Sequence, residues 1–124
     1  MSGVKFLLDT NYILGLLKSQ PAVLEELALR KIGISECAYS AITRIELLGF
    51  QEISREEESL IRQKLERLTY LPLSRAIEDV TINLRQTRKI KLPDAVIAAT
   101  ALCAGIELLT LDKQFQSLTL KTET

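Results

Sequence analysis

Histidine is absent from this chain, and that absence removes more chemistry than any other feature of its composition. Without an imidazole there is no Ser-His or Cys-His nucleophile pair, no His general base and no His-ligated zinc. Tryptophan is absent too, and aromatic residues make up only 5% of the chain, which suits helices packed on a sheet better than an aromatic-rich sandwich. The two cysteines, Cys37 and Cys103, are far apart and lack metal-type spacing. They read as free, buried thiols in a reducing compartment. No run reaches the ~20 apolar residues that a membrane span needs, and no basic segment followed by an apolar run opens the chain. No membrane association and a cytoplasmic location are therefore expected. Charge of one sign is lacking as well: 16 Lys and Arg balance 16 Asp and Glu. No global field draws the chain to nucleic acid, so any such attraction must come from a local patch.

At 124 residues the chain supports one domain, 1–124, with a real core. No internal repeat, low-complexity segment or linker interrupts it. Residues 4–8 read as a short buried strand between Gly3 and Asp9. Ile13, Leu14, Leu16 and Leu17 predict a helix over 11–18, with Asp9 or Thr10 near its cap. Pro21 starts a second helix that reaches about Arg30. Further strands are expected at Ile32–Ser35, Tyr70–Leu73 and Ile106–Leu111, with a weak fifth at Leu118–Lys121. Helices are expected over 40–50 with Ser40 as N-cap, and over 54–68 with a Ser54/Glu57 capping box. Two more are expected over 74–89 and 93–104, the last closed by Gly105. Short strands alternating with helices indicate an α/β fold, with a mostly parallel central sheet of about four or five short strands flanked by helices. The unbroken run Phe6-Leu7-Leu8 fits a strand covered on both faces.

Four acidic residues, Asp9, Glu46, Asp94 and Asp112, sit in or beside strongly apolar segments. In an open parallel sheet, ligand sites lie beyond the carboxyl ends of the strands. Asp9 follows the first strand and Asp112 the last, so both belong to that edge. Asp94 lies in the first turn of the helix that feeds the last strand. Glu46 lies nearly two turns into its helix, on an arc with Ile42, Gly49 and Phe50 that reads as inward-facing. The tilt of helical side chains toward the N-terminus helps it reach the edge. Each acid also has a local reading. Asp9 can be a helix N-cap, Asp94 a partner of the helix dipole, Asp112 a turn residue, and Glu46 an ion-pair partner of Arg44 or a distant base. A shared site explains all four together. Clustered carboxylates repel unless a counter-charge is present. A hard divalent cation supplies it, and oxygen ligands without His or Cys select Mg²⁺ or Mn²⁺ over zinc. The matching chemistry is metal-assisted phosphodiester hydrolysis.

Arg85, Arg88, Lys89 and Lys91 form a basic strip without an acid, shortly before Asp94. It can hold phosphates that flank a scissile one, or be a solvated helix end. Arg44 is a further candidate. Tyr12 and Tyr39 can stack on bases, but packing is the simpler reading. Leu14, Leu16, Leu17, Leu24, Leu27 and Leu29 supply either core or a groove for a partner helix.

The segments Leu-Leu-Asp-Thr-Asn at 7–11, Ile-Thr-Arg-Ile-Glu-Leu at 42–47, Leu-Pro-Asp-Ala-Val-Ile-Ala-Ala-Thr-Ala at 92–101 and Leu-Leu-Thr-Leu-Asp-Lys-Gln-Phe at 108–115 resemble PIN-domain proteins. Among these the chain is most similar to the VapC-type toxins of toxin–antitoxin pairs. The resemblance covers nearly the whole chain, and it lies in the order and spacing of the motifs. It implies a Mg²⁺- or Mn²⁺-dependent endoribonuclease that cuts single-stranded regions of RNA. Asp9, Glu46, Asp94 and Asp112 would be its catalytic and metal-binding quartet, and Thr10, Asn11 and Thr110 its supporting polar residues. It also implies an antitoxin bound over the site, and a homodimer. One departure is Leu111, where many relatives carry a polar or basic residue. Two rival readings stay open: a catalytically silent RNA- or protein-binding module of this fold, and a metal-dependent nuclease of RNA or DNA processing.

Overall fold

Strand β1 (Phe6–Leu8) lies inside a four-stranded sheet, between β2 (Cys37–Ser40) and β4 (Glu107–Leu109). Strand β3 (Thr69–Leu71) flanks β2 at one edge. The computed structural model describes residues 3–117. All three pairings are parallel, with Leu7 beside Ala38 and Leu108, and Leu8 beside Leu109. Asp9, Ser40 and Thr110 therefore emerge at the same edge of the sheet, the carboxyl edge. The expected α/β domain with a parallel sheet is the fold observed. The fifth strand expected at Leu118–Lys121 falls outside the described residues.

The helices are α1 (Thr10–Leu17), α2 (Pro21–Leu29), α3 (Ala41–Leu48), α4 (Arg55–Glu66), α5 (Arg75–Thr87) and α6 (Leu92–Ala104), and residues 113–117 are also helical. Side-chain alternation along the strands divides the core between the two faces of the sheet. Leu8, Cys37, Tyr39 and Leu109 pack with Tyr12, Ile13, Val23, Ile61 and Leu65 of α1, α2 and α4. Leu7, Ala38 and Leu108 pack with Ile97 and Ala101 of α6. Helix α5 lies against α6, with Ile77 and Leu84 on Ala98 and Ala99. Each large side chain buried this way contributes ~1.5–3 kcal/mol. Covering both faces explains the continuous apolar run of β1. Gly105, at φ 66°, takes the left-handed conformation that ends α6.

Two expectations need correction. The second strand is not at Ile32–Ser35 but at Cys37–Ser40. Glu36 Oε1 accepts from the Gly33 N–H at 2.9 Å, which folds residues 34–36 into a short 3₁₀ turn. Ala38 and Ser40 have weak strand propensity, but all four residues of the strand are buried, and burial decides. Cys103 is exposed rather than buried, because it sits in the last turn of α6 beyond the packed stretch 97–101. Cys37 is buried, and burial pushes its thiol up to about 11, so it is an inert core thiol.

Candidate functional site

Asp9 stands where β1 turns into α1. Its Oδ1 accepts from the Tyr12 N–H at 2.7 Å and caps the helix. Its own N–H donates to the Leu109 carbonyl at 3.2 Å, continuing the β1–β4 ladder by one residue. This sets it beside Thr110, whose hydroxyl is close enough to favour the charged carboxylate. Thr110 Oγ1 also accepts from the Asp112 N–H at 3.0 Å. Asp112 Oδ1 then accepts from the Gln114 and Phe115 N–H groups at 3.0 and 3.3 Å, capping the helical turn 113–117. The local readings of Asp9 and Asp112 both hold, and capping is what orients them. Asp94, half-buried, follows Pro93 in the first turn of α6.

Glu46 corrects an expectation: it is exposed, not inward-facing. The buried stripe of α3 is Thr43 and Leu47, and Glu46 lies beside that stripe. It is nevertheless held. Thr10 Oγ1 donates to Glu46 Oε1 at 2.6 Å and shares a 2.9 Å hydrogen bond with Thr43 Oγ1. Ser40 Oγ, the N-cap of α3, donates to Thr43 Oγ1 at 3.3 Å. If each hydroxyl gives its single proton onward, the series Ser40, Thr43, Thr10 ends on the carboxylate, and such series strengthen one another. Thr43 was not among the candidates read from sequence. Its signals were its place in the 42–47 segment and its position one turn before Glu46.

The four acids come from four separate segments and feel one another's charge. Burial raises the Asp9 carboxyl above its ordinary range, while the Thr110 hydroxyl and the Tyr12 N–H oppose the rise and the charges of Asp94 and Asp112 add to it. Asp94 is raised first by burial and then by Glu46, with Lys91 opposing and Asp112 adding. Among the described residues, no Lys or Arg forms an ion pair with any of the four. The N-terminal dipoles of α1 and α6 offset part of the repulsion. The donor set is all oxygen, which fits Mg²⁺ or Mn²⁺. Among the described residues, no three acidic groups close on one ion-sized point by themselves. That openness suits magnesium, which keeps several waters and binds through one or two carboxylates.

Two cavities are lined by three of the four acids, Glu46 lining neither. One, of about 450 Å³, is lined by Asp9, Asn11, Lys18, Gln20, Thr110 and Asp112, among others. The second, of about 360 Å³, is lined by Arg88, Lys89, Lys91, Asp94 and Asp112, among others. Asn11 and Thr110 thus line the first cavity with Asp9 and Asp112, and three of the four bases of the strip line the second. Arg85 differs, since its Nη1 donates to the Ile90 carbonyl at 3.0 Å and braces the turn after α5. Arg44 lines a separate cavity with Tyr39 and Arg62. The tyrosines are packing residues: Tyr12 is fully buried with its hydroxyl on Glu26, and Tyr39 lies against Tyr70. Gly15 borders the first cavity at the tight α1–α2 turn, where an added Cβ would come within 2.8 Å of Gln20 and Val23 side-chain atoms.

The PIN domain family model matches residues 6–120. A toxin–antitoxin complex from Klebsiella pneumoniae contains a chain 31% identical to this one, with a TM-score of 0.73 over 89% of this chain and 88% of that one. DNA-bound VapBC from Salmonella typhimurium gives 26% identity and a TM-score of 0.67 over 83% of each chain. VapBC2 from Rickettsia felis, bound to a promoter DNA fragment, gives 22% identity and a TM-score of 0.71 over 92% of each, a likeness of fold. Comparison with curated protein sequences gave no significant match. With motifs, sheet order and family model in agreement over nearly its whole length, this chain belongs to the PIN domain family.

Proposed function

We propose that this protein is a Mg²⁺- or Mn²⁺-dependent endoribonuclease that cleaves single-stranded regions of RNA, and that it is the toxin of a VapBC-type toxin–antitoxin pair. The observation that carries the reading is electrostatic. Asp9 and Asp94 are raised by burial and by the neighbouring acids, and among the described residues no cation pairs with them. Such an arrangement is costly unless a ligand brings positive charge. One or two of Asp9, Glu46, Asp94 and Asp112 would bind the ion directly, and the others would hold its waters. When bound, it would lower the pKa of a coordinated water and polarise the scissile phosphate. The chain's own residues set the geometry. The Tyr12 N–H fixes the Asp9 carboxylate, and the Thr10–Thr43 pair fixes Glu46. An acid of the quartet would accept the proton of the attacking water. Arg88, Lys89 and Lys91 would hold a flanking phosphate.

An antitoxin partner, a homodimer and a cytoplasmic site of action belong to the same reading. The relatives in toxin–antitoxin complexes support it, as does an apolar groove lined by Ile13, Leu16, Leu17 and Leu68 with Lys64 and Arg67. Among the described residues, no helix is long and apolar enough to cross a membrane. The test is cleavage of a panel of single-stranded, duplex and DNA substrates across Mg²⁺ and Mn²⁺ titrations, by the native protein and Asp94→Asn. Cutting of single-stranded RNA that stops on chelation and in the variant is expected. RNA binding that survives chelation, with no cutting in either metal, would favour the silent binding module.

A further inference from the structure

Asp112 lines two cavities, one shared with Asp9 and the other with Asp94. The cavity on the far side from the Arg88–Lys91 strip carries one base, Lys18, the residue that ends α1. Among the described residues, Lys18 forms no ion pair, although Asp9 and Asp112 line the same cavity. The same cavity is lined by Asn11 and Gln20, whose side-chain amides are suited to a sugar or a base edge. At about 450 and 360 Å³, both cavities fall in the range of roughly 300–1,000 Å³ typical of small-ligand sites. Two such spaces, each lined by cations that form no ion pair among the described residues and joined at Asp112, fit a polyanion running from one into the other.

We propose that Lys18 is a phosphate-binding residue for a single strand that crosses Asp112, held by Lys18 on one side of the scissile bond and by Arg88, Lys89 and Lys91 on the other. This inference rests on the nuclease reading above. It predicts that the enzyme needs nucleotides on both sides of the cut. A strand that ends at the scissile position loses one of its two grips, so internal cleavage is favoured over trimming of ends. A Lys at a helix C-terminus also complements the helix dipole, which would be a purely structural role.

The test measures binding of a short single-stranded RNA in Ca²⁺, with gel analysis to verify that the strand stays intact. It compares the native protein with Lys18→Gln, Lys18→Arg and Lys89→Gln. Loss of one phosphate contact should lower the slope of log affinity against log salt by about 0.7 in each Gln variant. A series of oligonucleotides, each with one neutral methylphosphonate linkage, then locates the contacts. One linkage should weaken the native protein severalfold yet leave Lys18→Gln unaffected, and a different linkage should do the same for Lys89→Gln. Lys18→Arg should keep both the slope and the sensitivity. A Lys18→Gln protein with native affinity, slope and linkage sensitivity overturns the proposal, even if the native protein cuts RNA in Mg²⁺ or Mn²⁺. A melting temperature lowered in Lys18→Gln without a change in binding assigns Lys18 the structural role instead. Failure of the native protein to bind or cut any RNA removes the nuclease reading itself.

Discussion

The two edges of the sheet carry charge in opposite ways. At the amino edge, acids and bases are matched. Lys5 pairs with Glu36 at 3.2 Å, and Arg30 forms a two-pronged bridge to Glu107 at 2.8 and 2.9 Å. Arg30 also reaches Glu26 at 3.2 Å, which accepts the Tyr12 hydroxyl at 2.6 Å, and its guanidinium lies over the Phe6 ring. At the carboxyl edge, four acids gather without an ion-paired base among the described residues, and the bases nearby stay unpaired too. Helix caps and threonine hydroxyls hold those acids in place instead. The first edge uses charge to tie α2 to β4. The second keeps its acids oriented without ion pairs among the described residues, the arrangement that the proposed ion would complete.

Substitution at each edge should break this contrast in opposite directions. Asp9→Asn keeps a good N-cap, because Asn caps helices as well as Asp does. It removes a buried charge that its neighbours oppose. Cleavage should fall on the order of a hundredfold or more, a loss at least as large as that for removing an outer-shell partner of a metal ligand. Thermal stability in metal-free buffer should rise at neutral pH. Paired cleavage and melting measurements check this. A variant that loses activity and also melts lower would mean that Asp9 matters mainly to the fold.

Much of this was legible in the sequence, for reasons that can be named. Asp9 directly follows β1 and Asp112 comes three residues after the end of β4, so one rule about parallel sheets puts both at one edge. The Ser54 capping box and the left-handed Gly105 are local signals, and both elements formed as expected. What was not legible depends on tertiary geometry. Strand β2 has weak local preference and exists because neighbours on both sides bury it. Glu46 read as inward because its helical arc held apolar residues, yet α3 is only two turns long and Phe50 beside it is itself exposed. Lys18 lies in no motif, and Thr43, although inside the 42–47 segment, gives no local sign of its hydrogen-bonding role. Only the packing of α3 and α1 around the sheet edge brings them to the acids.

A metal titration across pH sharpens the contrast, with a smaller effect. The native carboxyls of Asp9 and Asp94 lie above their unfolded values. Between the unfolded carboxylate pKa, about 4, and the raised native values, the folded state binds more protons than the unfolded one. The contribution of these two groups is therefore greatest at low pH and is lost as pH rises through the native values. Glu36, at the other edge, is lowered by the Gly33 N–H and Lys5, so its contribution has the opposite sign and is lost as pH falls. Mg²⁺ or Mn²⁺ should reverse the loss at the carboxyl edge. At a hundredfold excess over its dissociation constant the ion stabilises by about 2.7 kcal/mol. The gain in melting temperature should be larger at pH 8 than at pH 5, where protons compete for the same oxygens. Equal gains at both pH values would mean that the ion binds elsewhere.

The smallest effect belongs to the amino edge. Arg30 and Glu107 are each more than a third exposed, so solvent screens their pairing despite the two-pronged geometry. Glu107→Gln should cost only about 0.5–1 kcal/mol and leave cleavage unchanged. Arg30→Lys should cost a similar amount, since an ammonium cannot make both bonds of the guanidinium fork. In the double variant the losses should be less than additive, because the two residues share one interaction. Denaturant titration of the four proteins measures that coupling. Additive losses would mean that Arg30 acts mainly through Glu26 and the Phe6 ring, and that the tie between α2 and β4 lies in packing rather than in the bridge.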